Sequence, residues 1–364
     1  MKKVLHHVAV MDRGGQETFI MNVFRNINRE LIDFDFLCTL DKNGAYDKEI
    51  YGLGGKIYHV PSGFNKIKII DRSIGLYKFL VEHKGEYDVF HIHTQHAMDA
   101  YICAKIALFT GIKKVIVHSH STSTVYHPKL HKLFRPLLNK LQIFRFACSD
   151  LAGEWLYGKN ESFTVIKNGV DISRFSFSEK IRNIVRTDLK LENKHIVGHV
   201  GSFTYPKNHE FIIDIFSQLS MLDENAVLVL VGTGPGFDNI RLLVNERNIA
   251  DKVLFLGSRS DVNYLDQAFD VFVFPSRYEG LPVVLVEAQC SGVPCLISDT
   301  ITEEIDVTKQ LFRENINNEP SLWANQILKL FNAKYCREEA SEDVVRSGYD
   351  INNTVKELEK YYES

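Results

Sequence analysis

The chain has 364 residues, 45% hydrophobic and 24% charged, with 22 Gly and 9 Pro. This is ordinary globular composition in a chain long enough for two domains of roughly 150 residues, each with its own core. Disordered, collagenous and coiled-coil classes are excluded, and no charge-free stretch approaches the about 20 residues of a membrane span. The formal charge of −3 hides a division: residues 1–165 carry 22 Lys and Arg against 16 Asp and Glu, and the remainder carries 21 against 30. A basic first half and an acidic second half imply different partners.

The opening MKKVLHHVAVMDRGG has a short apolar run interrupted by His6 and His7 and no small-residue cleavage site, so it is read as a first β-strand of a cytoplasmic protein. Short apolar runs then alternate with amphipathic stretches, the pattern of parallel sheets covered by helices on both faces. Strands are expected at 4–10, 33–40, 56–60, 88–93, 114–120, 145–150 and 163–170, and a second set at 195–203, 226–232, 252–257, 271–276 and 294–298. The predicted architecture is α/β, two Rossmann-like, doubly wound parallel-sheet domains facing across a cleft. The first domain spans 1–172, a polar linker 173–193 and the second domain 194–345. A helix over 346–364 can pack on either domain.

Ligands of such sheets bind beyond the carboxyl ends of the strands, where glycine loops and helix N-termini favour anions. Gly15, in GGQE after the first strand, lies in one such loop. Gly232 and Gly234, in GTGPG, lie in another. The third is the most informative: a strand, then Glu279-Gly280-Leu281-Pro282, then a helix opening near Val283 and carrying Glu287 among apolar neighbours. An acid in that setting is costly to bury unless it binds something.

The six cysteines form no metal or disulfide pattern and are read as reduced thiols, most of them buried. His6, His7, His91, His93, His96, His118 and His120 fall in or just after first-domain strands. Three strands contribute them without a spacing that fixes ligand geometry, so they are read as hydrogen-bonded histidines and no metal is expected. Asp33-Phe34-Asp35 spells a metal-binding motif but begins a strand, and alternation places both acids on the solvated face. Segment 126–146 supports two readings. Leucines and phenylalanines at helical spacing with Lys129, Lys132, Arg135, Lys140 and Arg145 suit an anionic membrane surface or a core helix with a solvated basic face. No aromatic-basic platform for nucleic acid is present.

Read together, GGQETF (14–19), HIH (91–93), VHSHS (117–121), NGVD (168–171), HVGSFTYPKNH (199–209), LVGTGPG (230–236), FLGSRSDV (255–262) and EGLPVVLVEAQCSGVPCLISD (279–299) resemble the retaining family 4 glycosyltransferases of capsule and exopolysaccharide synthesis, which have the GT-B fold. The resemblance implies that Glu279 binds the donor sugar's hydroxyls and Glu287 the nucleotide ribose. Gly15, Gly280, Leu281, Pro282 and Val283 cradle the diphosphate, Lys207 neutralises it, and Arg259 lies beside the base. His118 is placed near the anomeric carbon and acceptor, with His120 as its rival and His93 on the same side. Ser202 stands where the family often has Arg, so Lys207 alone or another cation, Arg259 or Arg277, must compensate.

The activity implied is metal-independent transfer, without a cofactor, from a nucleotide-sugar, most simply a UDP-sugar, to a glycan or polyprenyl-linked acceptor, with retained anomeric configuration. A GT-B sugar-nucleotide epimerase, consuming UDP-GlcNAc without an acceptor, and a weakly catalytic donor-binding subunit are the alternatives.

Overall fold

The computed structural model describes residues 1–60, 68–122 and 127–364. The chain divides into two units, residues 1–169 with 351–364, and residues 170–350. In the first, strands β1 (Lys2–Val8), β2 (Ile32–Cys38), β3 (Ile57–His59), β4 (Val89–Thr94), β5 (Lys114–Ser119), β6 (Phe144–Ala147) and β7 (Thr164–Val165) form a parallel sheet ordered β3-β2-β1-β4-β5-β6-β7. In the second, β8 (His195–Val200), β9 (Ala226–Val231), β10 (Val253–Gly257), β11 (Val271–Phe274), β12 (Cys295–Ser298) and β13 (Leu311–Glu314) follow the order β10-β9-β8-β11-β12-β13.

Both orders are doubly wound, and each reverses direction once, between β1 and β4 and between β8 and β11. Central strands such as β9 (AVLVLV) are buried throughout because helices cover both faces, which explains their unbroken apolar text. The edge strand β13 (LFRE) lacks that signal, being half-buried along its length, and was missed.

The expected linker is corrected. Residues Ile172–Phe175 and Glu179–Leu189 are helices of the second unit, the latter capped by the Ser178 hydroxyl, which accepts from Ile181 N. Two of their arginines face inward: Arg182 and Arg186 both bond the Asp270 carboxylate ahead of β11, and Arg182 also donates to the carbonyls of Gln267, Ala268 and Phe269. A polar sequence here marks ion pairing, not a solvated connector.

The expected helix over 346–364 is also two pieces. Ala340–Arg346 belongs to the second unit, whereas Ile351–Glu363 belongs to the first. Ile351, Thr354, Val355, Leu358 and Tyr362, one helical face, are buried in the core containing Phe19, Phe24, Phe34 and Phe36. Gly169 makes this docking possible, since a Cβ there would lie 2.6 Å from Ile351 Cα. Replacing Leu358, 1% exposed, with alanine is expected to lower the stability of the first unit by about 2–5 kcal/mol. Denaturation followed by amide exchange should show the loss in residues 1–169 and spare residues 170–350.

Candidate functional site

In the second unit the reversal point gathers three loops. β8 runs into Gly201–Asn208, the neighbouring β11 into Pro275–Pro282, and β9 into Gly232–Gly236. The first two are stitched by Arg277 N–H donating to Pro206 O (2.8 Å) and Asn208 Nδ2 to Pro275 O (3.1 Å). Across them Lys207 Nζ meets Glu279 Oε1 at 2.7 Å, with both side chains largely buried, and the ammonium lies 4.7 Å from the centroid of Phe274. The helix Val283–Cys290 begins behind Pro282, so its first-turn amides and positive dipole end open onto the same loop. One cation, one carboxylate and a helix N-terminus thus converge at the place where open α/β sheets take anionic ligands.

The third loop is held by contact with the first. Phe203 N donates to Thr233 O (3.0 Å) and Gly236 N to Phe203 O (2.9 Å). Gly232 adopts φ +140°, and a Cβ there would stand 2.0 Å from the Gly201 carbonyl oxygen. Gly234 is similarly close to the Phe203 backbone, at 2.7 Å. These glycines serve loop-to-loop packing as well as any ligand.

Glu287, 6% exposed, sits one turn into its helix. Asp266, fully buried beside it, was not singled out by sequence, where it reads as one more helical acid. Burial and the charge of Glu287 push its carboxyl well above the usual range. Arg259 is engaged with Asp261 at 2.6 Å. Arg277 is better placed to serve where Ser202 replaces the expected arginine: its guanidinium stacks on Tyr205 (4.3 Å) and donates to Tyr205 O within the Lys207 loop. Ser202 itself is exposed and bonds Thr204 Oγ1. His199 and His209, also missed, lie under this loop. Burial and Lys207 hold them at about 3 and about 2, so both are neutral. Their signal was their position at either end of HVGSFTYPKNH.

In the first unit the parallel register aligns His6 with His91 and His93 with His118. Five imidazoles form a continuous contact array: His6 Nδ1 to His93 Nε2 (2.9 Å), His93 Nδ1 to His120 Nε2 (2.8 Å), and His91 Nε2 to His118 Nδ1 (3.3 Å). Burial pushes His6 and His120 to about 3 and the other three well below the ordinary value. His7 points away, toward Cys103, and His96 caps the helix Ala97–Thr110. The expectation that three separate strands leave geometry unset is therefore corrected: one nitrogen each of His6, His91 and His93, or of His93, His118 and His120, lies within metal-ligand reach of the others. His118 is fully buried, whereas His120 keeps part of its surface exposed.

Gly15 has open space at its Cβ position; the tight position is Gly14, where a Cβ would meet Glu17 Oε2 at 2.4 Å. Burial raises the Glu17 carboxyl to about 7. Asp35 is not solvated as alternation suggested. It is 3% exposed and accepts from Lys56 N–H and Tyr87 O–H, each at 2.9 Å, so the segments entering β3 and β4 cover it. In segment 126–146, Tyr126 lies outside the described residues and the helix is Pro128–Asn139. His131 and Leu138 face inward, while Leu133 (63%) and Leu137 (38%) are exposed beside exposed Lys129, Lys132 and Lys140.

The chain is similar to known proteins along nearly its whole length. Residues 13–174 match the family model described as Glycosyltransferase Family 4, and residues 181–344 that described as Glycosyl transferases group 1. EpsF of Bacillus subtilis (strain 168), named as a candidate glycosyltransferase, is 35% identical over 99% of this chain and 96% of its own length. The capsular polysaccharide biosynthesis glycosyltransferase CapH of Staphylococcus aureus is 27% identical over 100% and 99%. The crystal structure of Anabaena HepE with UDP-glucose shares the fold, with a TM-score of 0.81 at 18% identity and full coverage of both chains. The two doubly wound units are those of the GT-B fold.

The loop packing yields a test. Gly232→Ala is expected to force the Gly201 and Gly232 loops apart, because the clash is with backbone and cannot be relieved by a side-chain rotation. A lowered Tm together with weaker nucleotide binding in calorimetry is the predicted result, whereas Gly15→Ala should leave the Tm within about 1 °C.

Proposed function

Because the chain belongs to the family 4 glycosyltransferases, we propose that it transfers a sugar from a UDP-sugar to a glycan or polyprenyl-linked acceptor in surface polysaccharide synthesis, with retention and without a divalent ion at the diphosphate. The observation that carries this reading is the Lys207–Glu279 pair beside the N-terminus of the helix Val283–Cys290. Without donor the two side chains neutralise each other. With donor, Lys207 turns to the diphosphate and Glu279 accepts from sugar hydroxyls, while Glu287 receives the ribose hydroxyls.

As the anomeric C–O bond breaks, negative charge grows on the departing diphosphate. Lys207, Arg277 and the helix amides are fixed donors aimed at that charge before the reaction begins. The acceptor oxygen bonds to the anomeric carbon on the face the diphosphate leaves, and its proton passes to the diphosphate oxygen. His120, part-exposed, contacts the acceptor, and buried His118 orients the array behind it. Arg259 and Asp261 flank the base.

UDP release from a panel of UDP-sugars with acceptor tests this. Glu279→Ala is expected to lower kcat/KM about 10- to 100-fold and Lys207→Ala about 100- to 1000-fold, with rates equal with or without added Mg2+ or Mn2+. Equal turnover in wild type and Glu279→Ala would refute the assignment, and an inverted product by NMR would refute retention.

Leu133 and Leu137 with Lys129, Lys132 and Lys140 favour the membrane reading of the basic helix. Each lysine near an anionic surface contributes about 1 kcal/mol. Among the described residues no helix is long and apolar enough to cross a membrane. Flotation with anionic but not neutral vesicles, lost in Leu133→Asp with Lys132→Glu, is the expected behaviour. Identical flotation of that variant would place the contact elsewhere.

A further inference from the structure

The five-imidazole array on β1, β4 and the β5 end holds more than the transfer reaction needs. A neutral imidazole has one N–H donor and one lone pair. In the row His6, His93, His120, each contact consumes one of each, so the two ends must be one N–H without an acceptor and one lone pair without a donor, whichever tautomers are chosen. Those ends are His6 Nε2 and His120 Nδ1, both buried and unpartnered, as is His118 Nε2 in the second row. A purely hydrogen-bonded array therefore cannot be satisfied internally, and unpaired polar atoms in such a place point to a missing ligand.

We propose that the array holds one divalent late first-row transition-metal ion, Zn2+ above all, with His93 as the ligand common to its two possible triads. Two nitrogens on one tetrahedral zinc ion, each at 2.0–2.1 Å, stand about 3.3 Å apart; within the triads His6 Nδ1–His93 Nε2 (2.9 Å) and His93 Nδ1–His120 Nε2 (2.8 Å) are hydrogen-bond contacts that open by about 0.5 Å to admit an ion. Both triads, His6/His91/His93 and His93/His118/His120, bring their nitrogens within 4.8 Å. The set is all imidazole and contains no carboxylate, which suits zinc, copper, nickel or cobalt and not magnesium or calcium.

Outer partners are also in place: Tyr362 O–H meets His91 Nδ1 at 2.8 Å, and Phe19 packs edge-on against His118. Tyr362 comes from the C-terminal helix, so the end of the chain orients a ligand made by its beginning. All these residues belong to the first unit. Three neutral ligands leave a fourth position open for water or hydroxide.

The test uses full-length protein without a polyhistidine tag, stripped with chelator and titrated with Zn2+ by calorimetry and with Co2+ by visible absorption. About one equivalent per chain is expected, with a raised Tm and tetrahedral cobalt bands lacking a thiolate charge-transfer band. His93→Gln should lose the site, and His7→Gln, on the same strand as His6 but facing away, should keep it. Loss in His6→Gln or in His120→Gln assigns the triad and supports the proposal either way. Wild-type protein that takes up no stoichiometric Zn2+ overturns it. So does a thiolate band, which needs no variant to fold, or a folded His93→Gln that binds like wild type.

Discussion

Reversal of strand order at a single place in each sheet is the constraint on which the rest of this molecule depends. A parallel strand can be extended only through a crossover, and where crossovers turn to opposite sides the loops at the strand ends separate and leave room. In the second unit that room lies between β8 and β11, and the loops that flank it supply Lys207 and Glu279 from positions 72 residues apart. In the first unit the corresponding pair, β1 and β4, carries His6, His91 and His93. The same topology therefore produces an ion pair in one unit and a nitrogen cluster in the other, because different side chains reach the same kind of position.

In the proposed function an anionic donor meets local charge in the second unit, not its acidic net charge. Net charge acts through solvent and is screened over about 10 Å at ordinary ionic strength, whereas Lys207 is largely buried and its field is not. Much of the basic side of the second unit is already committed: Arg182 and Arg186 to Asp270, Arg247 to Asp214, Arg259 to Asp261, Arg313 to Asp306. The ion pair with Glu279 holds Lys207 in place, and in the proposed function its opening lets the two side chains meet phosphate and sugar together. Part of the basic excess of the first half lies on the helix Pro128–Asn139, where exposed Lys129 and Lys132 stand beside exposed Leu133 and Leu137.

Much of this was legible in the sequence. Strand positions, two sheets and the glycine loops followed from apolar runs bounded by turn residues, since parallel strands buried on both faces read as continuous hydrophobic text. Glu287 stood out because an acid inside an apolar helix needs a reason, and Glu279 because it opens the glycine-proline loop before that helix. The errors share one cause: residue type was taken as a guide to exposure. Residues 173–193 looked solvated and instead turn arginines inward onto Asp270. Asp35 looked solvated and instead bonds Tyr87. The edge strand Leu311–Glu314 looked like a loop because half its face is open.

By itself the sequence determined the fold class and the inventory of groups able to bind an activated sugar, since periodicity and local turn chemistry are properties of neighbouring residues. Register was beyond it. Which histidines of β1, β4 and β5 stand side by side, that Gly232 must leave space for the carbonyl of Gly201, and that Tyr362 closes over His91 are decided by pairings between segments separated by up to 271 residues. Such pairings are set by packing of whole layers, because a one-residue slip would turn every side chain of a strand to the opposite face.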